Sequence, residues 1–172
     1  MKLLKQAVVA ATLAAAGAPA ALAEPEWTTI KMEIDVNKSA AETWAKVGAD
    51  YCALGKWLRA GAQIPCTVTS GDGGVGTVRS IANGAVTEVL IGKTELAYGY
   101  MQPAKPGAAF YDHYHGFMEA RPTGANTSKI IYTLMLDVSN LADKAAKDAD
   151  VARRRAMFEG ALKNMKAMAE GQ

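Results

Sequence analysis

Apolar and polar residues alternate without a break from Ile30 to Val36: Ile30, Met32, Ile34 and Val36 interleave with Lys31, Glu33 and Asp35. A period of two predicts a strand with one buried face over Trp27–Val36. The pattern then changes period. Ser39 is a good N-cap, and Glu42 three residues on completes a capping box for a short helix carrying Trp44 and Val47 and ended by Gly48. A second helical turn runs from Asp50 through Tyr51, Leu54 and Trp57.

Strand patterns return over Gln63–Ser70, Gly76–Ala82, Ala85–Gly92, Glu95–Met101, Tyr111–Arg121 and Ser128–Val138. The breaks between them are Gly71–Gly74, Asn83-Gly84, a loop from Pro103 to Gly107, and Pro122–Thr127. Asn-Gly between apolar runs is a strong two-residue hairpin signal, so the seven strands form a mostly antiparallel sheet. From about Leu141 to Ala169 the period is helical, with Asn140 as cap. Phe158, Ala161, Leu162, Met165 and Met168 form its apolar stripe. Asp143/Lys147, Asp150/Arg154 and Glu159/Lys163 are spaced as i,i+4 ion pairs, and Arg153-Arg154-Arg155 reads as a solvated helix face. Gly160, inside the helix, suggests close approach to the sheet or a kink. A single long helix after a curved sheet packs across the concave face and encloses a cavity.

The first 23 residues read as a cleaved export signal: Lys2 and Lys5, an apolar run from Ala7 to Ala16, then small residues at Ala21 and Ala23. The run is too short for a membrane span of about 20 apolar residues. Lys2 and Lys5 also account for the whole excess of 19 basic over 17 acidic residues. The domain at 24–172 is therefore neutral, which argues against nucleic acid or an anionic membrane as the main partner. In an exported protein the pair Cys52 and Cys66 predicts a disulfide, stabilising by roughly 3 kcal/mol in the chain-entropy model. Two thiols without a nearby histidine give only half of a zinc coordination shell, and no cofactor motif is present.

The residues in order resemble the SRPBCC superfamily, which holds START lipid-transfer domains, the major birch-pollen allergen and polyketide cyclase/dehydrase-like proteins. The likeness rests on Trp44-Ala-Lys-Val-Gly48, Tyr51-Cys52 with Trp57, and Gly74–Arg79. It continues through Val86–Leu90, Leu96–Tyr100, Tyr114-His-Gly116 and Phe158–Met165, with Tyr132 standing where a Trp is common. The resemblance implies an α+β helix-grip fold with a cavity, and no particular reaction.

Three groups of residues carry candidate chemistry. Tyr98, Tyr100, Tyr114 and Tyr132 lie on strand patterns where they can face a cavity and orient a ligand, or simply pack the core. His113 and His115 share one strand face with Tyr111 and Phe117, opposite Asp112, Tyr114 and Gly116. They read as a surface pair on the convex side, an acid–base pair, or two metal ligands lacking a third. Arg79 and Glu88 flank Asn83-Gly84, as a cross-strand ion pair or a polar pair inside the cavity.

The expected function is binding of a small apolar or amphipathic molecule against Tyr98, Tyr100, Tyr132, Phe158, Leu162 and Met165. The first alternative is a polyketide cyclase or dehydratase using Tyr98, Tyr114, His113 or His115 as acid–base group. The second is a structural protein whose cavity is filled by its own side chains.

Overall fold

The computed structural model describes residues 24–103 and 113–172. The expected signal, Tyr111, Asp112 and most of the loop after Pro103 lie outside them. Seven strands form one antiparallel sheet: β1 (Trp27–Val36), β2 (Cys66–Ser70), β3 (Val78–Ile81), β4 (Val86–Lys93), β5 (Ala97–Gln102), β6 (Tyr114–Gly124) and β7 (Thr127–Asp137). Their order is β1-β7-β6-β5-β4-β3-β2, so the connection from β1 to β2 crosses from one edge of the sheet to the other. Helices α1 (Ala40–Val47) and α2 (Leu54–Trp57) fill that crossover, and α3 (Lys144–Glu170) ends the chain.

Register fixes which side chains face α3. Ten consecutive pairs join β1 to β7, from Trp27↔Asp137 to Val36↔Ser128. Ile30, Met32 and Val36 pair with Leu134, Tyr132 and Ser128, and all six are buried on the concave side. The alternating sequence of β1 is thus the inner and outer face of one edge strand.

The capping box forms: Ser39 Oγ accepts from the Glu42 amide, and the Glu42 carboxylate accepts from the Ser39 amide. Gly48 ends α1 where the Trp44 ring passes, since a Cβ there would lie 2.5 Å from that ring. The Trp57 indole donates to the Val47 carbonyl at 3.0 Å, and the Asn164 amide of α3 donates to the Trp57 carbonyl at 2.9 Å. These bonds tie α1 and α2 to the C-terminal half of α3.

Several boundaries differ from the sequence pattern. Strand β2 starts at Cys66, because the Ile64 amide donates to Gly55 at 2.8 Å and Pro65 has no amide hydrogen. Helix α3 starts at Lys144 with Asp143 as N-cap, its carboxylate accepting from the Ala146 amide at 2.8 Å. Asp143 therefore caps the helix, and Lys147 bridges instead to Glu26 beside β1. A Cβ at Gly160 would touch nothing within 4 Å. At 100° per residue Gly160 points about 200° away from Phe158, toward the outside, so no close approach to the sheet explains it.

Candidate functional site

The concave face carries transverse rows of paired residues. One row runs Tyr98, Met118, Tyr132 and Met32; the next runs Tyr100, Gly116, Leu134 and Ile30. A third runs Gln102, Tyr114, Leu136 and Thr28. It continues toward the opposite edge as Gln102 donates to Glu88 at 3.1 Å and Glu88 pairs with Arg79.

Tyr98, Tyr100, Tyr114 and Tyr132 therefore share one surface and are all buried. Their rings form a chain, with Tyr98–Tyr100 centroids 6.3 Å apart and Tyr100–Tyr114 centroids 6.2 Å apart. The Tyr100 and Tyr132 hydroxyls are 2.9 Å apart and hydrogen bonded. Gly116 makes this possible: a Cβ there would lie 2.3 Å from Cζ of Tyr100. From α3, Phe158 meets the Tyr132 ring at 4.8 Å, with Leu162 and Met165 buried on the same stripe.

Arg79 and Glu88 form the electrostatic centre. Their side chains are 0% and 4% exposed. Arg79 Nε donates to Glu88 Oε2 at 2.8 Å, and other guanidinium donors reach Glu88 and the Tyr51 carbonyl. The guanidinium also stacks 3.9 Å over the Tyr51 ring. The two sequence alternatives for this pair are one arrangement: a cross-strand pair that is also inside the grip. Burial pushes the hydroxyl pKa of Tyr51, Tyr98, Tyr100, Tyr114 and Tyr132 upward, most strongly at Tyr100 and Tyr132.

Arg154 departs from the expected solvated face. It is half-buried, with its guanidinium 5.5 Å over the Tyr114 ring, whereas Arg153 and Arg155 are exposed. Tyr51, Gln102 and Arg154 thus join the expected Tyr98, Tyr100, Tyr132, Phe158, Leu162 and Met165 on this face. Gln102 was legible as the next alternate residue after Tyr98 and Tyr100. Tyr51 and Arg154 were not, because helical spacing alone does not say which partner an inward side chain meets.

His113 and His115 lie away from this cluster, on the convex side. Trp27 covers both, at 5.8 and 5.9 Å between ring centroids. Partial burial, and secondarily His113, lowers the pKa of His115. Among the described residues no group of three or more His, Cys, Asp or Glu is placed to hold a metal.

Cys52 and Cys66 are joined by a disulfide that ties the segment carrying Tyr51 to β2. A polar cavity of about 550 Å³ opens beside it, next to Asp50 and Lys56. Another, of about 260 Å³, opens between Phe117 and the β4–β5 hairpin, over Gly92 and Gly99. No helix among the described residues is long and apolar enough to cross a membrane.

No family model and no curated protein matches the chain. Solved structures do. The Zhui aromatase/cyclase from a Streptomyces species is 15% identical, with a TM-score of 0.67 over 84% of this chain and 94% of that one. The crystal structure of Ara h 8.0201 is 16% identical, with a TM-score of 0.64 over 86% of this chain and 100% of that one. Truncated norcoclaurine synthase from Thalictrum flavum is 18% identical, with a TM-score of 0.63 over 88% of this chain and 98% of that one. At these identities the likeness carries the architecture and not the activity. The chain has the helix-grip fold that these three structures share.

Proposed function

We propose that this protein is exported and binds a small amphipathic molecule between the concave sheet and α3. The observation that carries the reading is the Arg79–Glu88 pair, buried on the face that opposes the helix. Desolvating two charges costs several kcal/mol per ion, and apolar residues of similar volume often stabilise a core as well or better. A buried pair beside five tyrosines is thus explained more readily by recognition than by stability. The apolar part of the ligand packs against Phe158, Leu162 and Met165, gaining about 25 cal/mol per Å² of apolar surface removed from water. The disulfide supports export, as such bonds persist in oxidising compartments.

A cyclase-type reaction is the second reading, favoured by the placement of Tyr98 and Tyr114 on the concave face, where their hydroxyls can act as hydrogen-bond donors. Each stays protonated near neutrality, able to donate and unable to act as base. It predicts that Tyr98→Phe or Tyr114→Phe abolishes turnover while leaving binding. The binding reading is tested by purifying the protein from its native host and extracting it with organic solvent for mass spectrometry. It expects an apolar compound near one equivalent; an empty extract together with no uptake of an apolar dye contradicts it.

A further inference from the structure

Among the described residues, one buried side-chain polar atom has no hydrogen-bond partner: the hydroxyl of Tyr51. Tyr51 is 8% exposed and belongs to the main core cluster. Its ring has a clear task, covering the Arg79 guanidinium on one side and meeting the Tyr98 ring edge-on at 5.5 Å. A phenylalanine would perform that task equally, since cation–π and edge contacts need only the ring. The hydroxyl adds nothing to the packing, and leaving it unpaired costs stability. Nearby, by contrast, the hydroxyls of Tyr100 and Tyr132 satisfy each other at 2.9 Å.

We infer that the Tyr51 hydroxyl is the specificity-determining contact of the site, and that the ligand is an uncharged aromatic molecule carrying one hydroxyl or carbonyl group. The inference rests on the binding reading above. Aromatic character follows from the walls: Trp44 lies 5.5 Å from Tyr98 between ring centroids, and Tyr98 leads on to Tyr100. Neutrality follows from Arg79, whose charge is matched by Glu88 at 2.8 Å, leaving no net charge to receive an anion. One hydrogen bond follows from one unpaired hydroxyl. A site built around such a bond rejects analogues that lack it, because the buried group is then left unpaired.

The test compares naphthalene, 2-naphthol and 2-naphthoate binding to the disulfide-intact protein and to Tyr51→Phe, with thermal stability of both free proteins. The expected result is that wild type prefers 2-naphthol to either analogue by roughly tenfold or more, about the worth of one desolvated hydrogen bond. Tyr51→Phe erases that preference, and the free variant is as stable as wild type or more so. Equal binding of naphthol and naphthalene, or a preference that survives in Tyr51→Phe, overturns the inference and leaves the binding reading standing. So does a destabilised Tyr51→Phe, which would mean that water or protein already satisfies the hydroxyl. Failure of all three probes to bind overturns the inference; the binding reading falls only if the solvent extract is also empty and no apolar dye is taken up.

Discussion

Arg79 and Glu88 stand directly opposite each other across β3 and β4, and both side chains are shut away from solvent. Each is buried only because the other is. Arg79→Met alone strands the Glu88 carboxylate, with Gln102 as its remaining partner, and is expected to cost about 3–5 kcal/mol. The double variant Arg79→Met/Glu88→Leu is expected to recover most of that loss in urea denaturation. A single variant that unfolds at the wild-type midpoint would show that the pair is not electrostatically coupled.

Gly116 and Tyr100 form a steric couple of a different kind. Gly116→Ala places a methyl inside the Tyr100 ring position and forces the ring off its bond to Tyr132. Overpacking of this sort costs roughly 1–3 kcal/mol. Adding Tyr100→Leu removes the clash, so the double variant should be more stable than Gly116→Ala alone. A strictly additive cycle would count against the contact.

Alkaline pH should unfold the protein cooperatively. Tyr51, Tyr98, Tyr100, Tyr114 and Tyr132 all have folded pKa values raised by burial above the ordinary value of 10.0. Their contribution to stability is fully present below pH 10 and is lost as pH rises above it toward the folded values. Tyrosinate absorbance at 295 nm and loss of circular dichroism are therefore expected to rise together. Titration of these tyrosines near pH 10 with the fold intact would contradict their burial.

Gly160→Ala is expected to raise stability by about 1 kcal/mol, since an added Cβ enters open space within a helix. A melting temperature that falls would mean that the outer face of α3 is covered.

The alternation in β1 and the changes of period after it made the order of elements, the antiparallel sheet and the long final helix legible. Turn chemistry was read less well, because Gly71–Gly76 bends through Gly71, Gly73 and Gly76, all at positive φ, and postpones β3 to Val78. The concave tyrosines were readable from their period of two. Tyr51 was hidden, because its place over Arg79 depends on a disulfide and on a crossover between distant strands. Arg154 was hidden among three arginines, of which only one turns inward.

The central claim is that the ligand lies between sheet and helix. Methyl NMR of methionine-labelled protein titrated with 2-naphthol tests this directly. Met32, Met118 and Met165 are buried on the inner side, whereas Met101 and Met135 lie on the outer face of the sheet. The account predicts saturable shifts at Met118 and Met165 with Met101 and Met135 unmoved. Shifts confined to Met101 and Met135, or none at all, would contradict it.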